Sequence, residues 1–369
     1  MSQLGWVIFG QKEAEAVQTL IGALKETDAR DELGLGAIRD SYADLLFPGT
    51  STVQTRLRYF LLLPQVFREL KLKPGGDHRQ ELRKAEVGLI KDFRALKGAD
   101  TAFLIGTEAG ERLKRMPSSV YWGGLGAWKI RLPDKRRASI GQTLDAMARG
   151  EACWDEFPFA GWDRGFHLCG EERDWLIERL SALRLEQGGT VLGQLVLQAK
   201  GCSALQKLDD VAQLALPAPL MRQLRQALKF SSLMHGAALL YNLMLAEHFD
   251  HDSLERYRQA LAEWGDTRPP LDATAEDLLA PLIKAGPLIG FAPSEKTLRF
   301  IKDWIGVARQ PNGKDARDLI HRRERSVKPG RARLDLDRQD YTWTGSSGAG
   351  RLTYRWERVQ QYLRDLAAA

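Results

Sequence analysis

Three cysteines in 369 residues, Cys153, Cys169 and Cys202, are too few and too irregularly spaced for a disulfide framework, and they point to a reducing compartment. No Gly-x4-Gly-Lys-Ser/Thr run is present. Its nearest approach, Asn312 to Asp315, lacks both the upstream glycine and the hydroxyl residue after the lysine, which argues against a P-loop NTPase. Gly-x-Ser-x-Gly, His-Glu-x-x-His and Cys-x-x-Cys are missing too, so neither a hydrolase elbow nor a common zinc site is read. No cofactor is expected. Long apolar runs are also absent. Residues 230–246 come closest, but they contain His235, Asn242 and two serines, and at 1.5 Å per residue they fall short of a hydrocarbon layer of about 30 Å. A buried core helix is expected there. The start, Met1 to Trp6, shows no basic stretch leading into an apolar core, so no secretory signal is read; the expected location is cytoplasmic, with no membrane partner.

What is present is an ordinary globular composition: 44% hydrophobic, 28% charged, and ten tryptophans, which argues against extended disorder. The length suggests about two domains at roughly 150 residues each. Helical spacing dominates. Ala14, Val17, Ile21 and Leu24 form one helical face, and Leu35, Ile38, Tyr42, Leu45 and Leu46 form another that ends at Pro48 and Gly49. Ser51 with Gln54 matches a capping box and predicts a helix start, with a break at Pro64. Ser118 or Ser119 is expected to cap a short helix, and the Gly345 to Gly350 stretch reads as a flexible link or tight hairpin. The expectation is therefore a mainly α protein with few short strands. Residues 1–150 are read as an N-terminal helical domain with a basic patch. Residues 151–369 are read as a C-terminal helical domain around a buried central helix, with an Arg-rich C-terminal segment.

The net charge of +6 is unevenly spread. Residues 1–50 carry −4, 51–140 carry +10, 141–280 carry −8 and 281–369 carry +8. Such blocks point to a polyanion, or to acidic protein surfaces. Between Arg309 and Arg333 stand nine Lys or Arg against three acids. The preference for arginine suits bidentate contact with phosphate oxygens. An earlier cluster, Arg112, Lys114, Arg115, Lys129, Arg131, Lys135, Arg136 and Arg137, is interleaved with Tyr121, Trp122 and Trp128, aromatic side chains of the kind that stack on exposed bases. The nucleic-acid-binding candidates are Arg112, Arg115, Lys135, Arg136, Arg137, Arg322, Arg323, Arg325, Lys328, Arg331 and Arg333. The ordinary alternative for each is a solvated charged surface.

Other groups read more plainly. Glu247, His248, Asp250, His251 and Asp252 are the densest set of potential metal ligands, yet they sit where a long apolar helix gives way to a turn and polar caps are expected. His235, inside the most apolar helix, is expected to be a hydrogen-bonded core histidine. Arg30, Asp31, Glu32, Arg39 and Asp40 are expected to form ion-pair and capping networks.

The most unusual residue choices lie in 27–40, TDARDELGLGAIRD, and 46–60, LFPGTSTVQTRLRYF. With Val120 to Trp122, His235 to Leu245 and Arg351 to Trp356, they resemble the bacterial domain-of-unknown-function family 6361. The resemblance implies a gene set in variable genomic islands, among helicase-like and nuclease-like genes of antiphage defence or restriction-type systems. It supplies no catalytic residues to carry over. The reading that follows is a non-catalytic nucleic-acid-binding or adaptor subunit whose partners are DNA and a helicase-like or nuclease-like protein of the same system. A pure protein adaptor and a metal-dependent nuclease built on His248, Asp250 and His251 are the rivals.

Overall fold

Apolar residues at spacings of three and four become helices along the whole of the computed structural model, which describes residues 31–96, 103–106, 112–184 and 189–369. The helix read around Ala14 to Leu24 lies outside the described residues. In chain order the helices are α1 Gly36–Leu46, α2 Tyr59–Glu69, α3 His78–Ala95, α4 Pro117–Ala127, α5 Ile140–Ala148, α6 Gly170–Ser181, α7 Val191–Leu197, α8 Ala199–Cys202, α9 Ala218–His248, α10 Leu254–Thr267, α11 Ala275–Ile289, α12 Glu295–Val307, α13 Lys314–Val327 and α14 Trp356–Ala367. Among the described residues, extended pairing amounts to one isolated antiparallel bridge between Arg131 and Trp154. The protein is mainly α. No helix among them is long and apolar enough to cross a membrane.

The chain forms two compact units, each assembled from separated stretches. Unit 1 comprises Met1–Arg39 (described from residue 31), Leu228–Ala280 and Phe291–Leu352; unit 2 comprises Asp40–Ala227, Pro281–Gly290 and Thr353–Ala369. Residue 150 coincides with none of these edges. The boundary expected between residues 150 and 151 lies wholly within unit 2.

Unit 1 is organised on the segment of α9 from Leu228 onward, where Leu233, Ala237, Leu240, Leu243 and Leu245 are buried. Two tryptophans anchor to its backbone. Trp264 of α10 donates to the Ser232 carbonyl at 2.8 Å and Trp304 of α12 to that of Leu233 at 2.9 Å. Gly236 is required because any Cβ there would collide with the Trp264 ring. The Gly345 to Gly350 stretch is not a free link. Asn242 donates to the Ser347 carbonyl at 2.9 Å and accepts from its N–H at 2.7 Å, and Trp343 beside it is buried.

Unit 2 packs Tyr59, Phe60 and Phe67 of α2 against Tyr121 and Leu125 of α4 and Tyr362 of α14, with Phe60 stacked on Trp128 at 3.6 Å between centroids. The Ser51–Gln54 pair does not start a helix. Gln54 Oε1 accepts from the Ser51 N–H at 2.9 Å within a turn, and Tyr362 takes the same oxygen at 2.8 Å, so α2 begins eight residues later. The helix then runs through Pro64. Leu62 and Leu63 before it and Phe67 after it are fully buried, and that packing outweighs one missing backbone bond. Two ion pairs seal this core: Arg58 with Glu172 at 2.8 Å, both fully buried, and Arg56 with Asp365 at 2.9 Å.

Candidate nucleic-acid interface

The earlier basic cluster is organised by α3. Asp77 caps the helix by accepting from the Gln80 N–H at 3.1 Å, its inner face buries Leu82, Glu86, Ile90 and Phe93, and its outer face carries Arg79, Arg83 and Lys84. Glu86 is the hinge of the arrangement. Its carboxylate accepts from the Ser118 N–H at 2.6 Å and from the Ser118 hydroxyl at 3.0 Å, clasping the N-terminus of α4. Ser118 is thus no helix cap; α4 starts at Pro117 with no side-chain cap at Met116. Burial pushes the Glu86 carboxyl up to about 7, against the opposing effect of the two Ser118 bonds.

That clasp lays residues 112–116 along α3, where Arg83 donates to the Leu113 carbonyl at 3.1 Å. Arg79 lies against the first turn of α5, close enough that a side chain on Gly141 would press on its guanidinium. Arg112, Lys114, Arg115 and Arg79 are exposed, as is Arg137 just before the Ser139 cap of α5, and none of the five has an ion-pair partner among the described residues. Lys135 is different. It is bound to Glu151 at 2.5 Å and Asp134 at 3.2 Å. Arg136 is half-buried, with its carbonyl accepting from Arg131 at 2.6 Å. The aromatic residues of this cluster do not form a stacking platform: Tyr121 and Trp128 are fully buried, and Trp122 is covered by the Arg131 guanidinium at 4.1 Å.

The C-terminal run behaves otherwise. Arg323 is buried and donates to the carbonyls of Leu33 at 2.8 Å and Gly34 at 3.1 Å and to the Thr297 hydroxyl at 3.0 Å. Lys328 and Arg333 both pair with Glu32, which is only 4% exposed. Glu324, fully buried, accepts from the N–H groups of Arg333 at 2.8 Å and Leu334 at 3.1 Å. Burial lowers the Lys328 ammonium to about 8. Arg325 is held by Asp335 through two bonds at 2.7 Å, and chiefly through Arg325 the Asp335 carboxyl falls to about 2. Arg317 forks onto Glu247 at 2.7 and 2.9 Å. Of the six candidates in this run, Arg322 and Arg331 alone are exposed with no ion pair among the described residues.

His248 and His251 are engaged in local hydrogen bonds. His248 Nε2 donates to the Leu336 carbonyl at 2.7 Å, while His251 Nδ1 accepts from the Ser253 N–H at 3.1 Å. Among the described residues no group of three or more His, Cys, Asp or Glu is placed to hold a metal ion. His235 contacts the Ala349 backbone, and burial first, then Arg351, lowers its imidazole from the usual range. Asp31 accepts from the Gly36 N–H at 2.6 Å at the start of α1, and Glu32 is the ion-pair centre already described. Arg30 lies outside the described residues.

The model of a family of unknown function, DUF6361, matches residues 1–369. The chain belongs to that family. Neither the comparison with curated proteins nor that with solved structures returned a match. The segments that carry the DUF6361 resemblance now have structural roles. Glu32, Leu33 and Gly34 receive the C-terminal cations, Arg56 and Arg58 form the buried ion pairs of unit 2, and Asn242 fixes the Ser347 loop. Arg79 and Arg83 were not singled out from sequence. Their basic side chains at i and i+4 on a charged helix were the available signal.

Proposed function

We propose that this protein is a non-catalytic nucleic-acid-binding subunit of a bacterial antiphage defence system, gripping the phosphate backbone through the unit 2 cluster. The observation that carries the reading is the group of five exposed cations without ion-pair partners among the described residues, Arg79, Arg112, Lys114, Arg115 and Arg137, with Arg83 tied beside them. Buried Tyr121 and Trp128 leave little means of stacking on bases, so the contacts are to backbone and largely independent of sequence. Arg322 and Arg331 of unit 1 add separate phosphate contacts. The defence setting, with its helicase-like or nuclease-like partner, rests on the family resemblance.

About five phosphate contacts give a slope near −4.5 in a plot of log affinity against log salt. A polarisation titration of a 20-base-pair duplex between 50 and 200 mM salt measures it. Absence of binding at 50 mM salt would remove the proposal and leave the pure adaptor.

A further inference from the structure

Unit 2 also carries a cleft of about 460 Å³, between the end of α2, the side of α3 and the Trp162 loop. Its floor is apolar and buried at Val66, Leu89 and Phe93, with Leu70, Ala85 and Leu96 along its sides. Three exposed carboxylates, Glu69, Asp92 and Asp163, stand at its rim. Among the described residues no lysine or arginine lines it. Arg68, on the same helix as Glu69, turns away to the Asp155 carbonyl at 2.7 Å and the Phe157 ring at 4.1 Å. Glu69 Oε1 accepts from Gln65 at 2.8 Å and from the Trp162 indole at 3.2 Å, which holds that ring as a wall. Neither Glu69, Asp92 nor Asp163 has a cationic partner among the described residues.

We propose that this cleft is a docking groove for a positively charged amphipathic helix of a partner protein. The dimensions fit. From Ala85 to Leu96 the groove follows α3 for roughly 16 Å at 1.5 Å per residue, the length of three helical turns. An apolar floor matches side chains spaced at i, i+4 and i+7, and a volume of this size accepts a few of them. The rim selects by charge: carboxylates repel phosphate and anionic lipid, while lysine or arginine flanking the apolar stripe would meet Glu69, Asp92 and Asp163, with Trp162 available to a guanidinium face. The groove is distinct from the cationic cluster, because Arg83 and Ala85 project roughly 200° apart around α3 at 3.6 residues per turn.

The test is a random 16-residue peptide library displayed on phage and panned against the full chain carrying Arg112→Glu/Arg115→Glu, which keeps acidic peptides off the cationic face. Enriched sequences are expected to be net positive, with apolar residues at helical spacing. A labelled peptide of the leading sequence should lose at least ten-fold in affinity on Asp92→Lys/Asp163→Lys, whose exposed positions leave thermal melting unchanged. Failure to enrich any sequence, enrichment of neutral or acidic ones, or indifference of the leading peptide to the double substitution would overturn the proposal.

Discussion

Two arginine-rich regions of similar composition meet opposite fates in this molecule. In unit 1, four of the six candidate cations between Arg322 and Arg333 are consumed internally, by Glu32, Asp335 and the backbone of residues 33 and 34. In unit 2, Arg112, Arg115 and Arg137 remain exposed and free of ion pairs among the described residues, while Lys135 is paired with Glu151. Local charge density therefore measures supply and not availability. What decides is whether the fold brings a carboxylate or carbonyl to each cation, and in unit 1 it brings the conspicuous N-terminal segment of the sequence.

The most severe way to break this contrast is Glu32→Ala, which strands Arg333 half-buried without its counter-charge and leaves Lys328 only Glu324 at 3.9 Å. It should destabilise the protein by about 3 kcal/mol in urea unfolding. A loss below about 1 kcal/mol would mean that the run is not held by Glu32. Next in size is a pH effect in unit 2. Glu86 has a folded pKa of about 7, above its ordinary value of 4.5, so the folded protein binds the extra proton between these values. Stability should fall as pH rises from about 4.5 through about 7, by on the order of 2 kcal/mol, and Glu86→Gln should flatten that slope while keeping both Ser118 bonds. Urea titrations at pH 5 and pH 8 check it; an unchanged slope in the variant assigns the pH dependence elsewhere.

Binding experiments sharpen the contrast further. Arg112→Glu/Arg115→Glu should weaken duplex binding about ten-fold or more, roughly 1.4 kcal/mol, whereas Arg325→Ala should change it less than about two-fold. Equal losses would show that the paired arginine is as available as the free ones. The smallest expected effect runs the other way. Asp335→Asn releases Arg325 and should strengthen duplex binding by about two-fold, steepening the salt slope by about one. The pair is substantially exposed, so stability should change by less than about 1 kcal/mol.

Much of the architecture could be read along the chain. The spacing of Leu35, Ile38, Tyr42 and Leu45 became α1, and the apolar run from Phe230 became the buried part of α9. Local pattern failed where distant partners intervened. Gln54 looks like a capping residue until Tyr362, 308 positions away, takes its oxygen. Ser118 resembles a cap until Glu86 claims both its N–H and its hydroxyl. Tyr121 and Trp128 look available to bases because they are interleaved with cations, yet Gly124 of α4 admits Phe60 so closely that both rings enter the core. The pairing of Arg333 with Glu32 spans 301 positions, and no windowed charge count can see it.

The reach of those pairings constrains how the molecule is made. Glu32 waits for Lys328 and for Arg333, 301 positions on, and Arg56 waits for Asp365, 309 positions on, so both find their counter-ions only late in synthesis. At elongation speeds of about 5–20 residues per second, Glu32 spends roughly 15 to 60 s on the ribosome before its first cation is synthesised. The ion-pair centre at Glu32 therefore closes only after Lys328 has been synthesised, and the one at Arg56 only after Asp365.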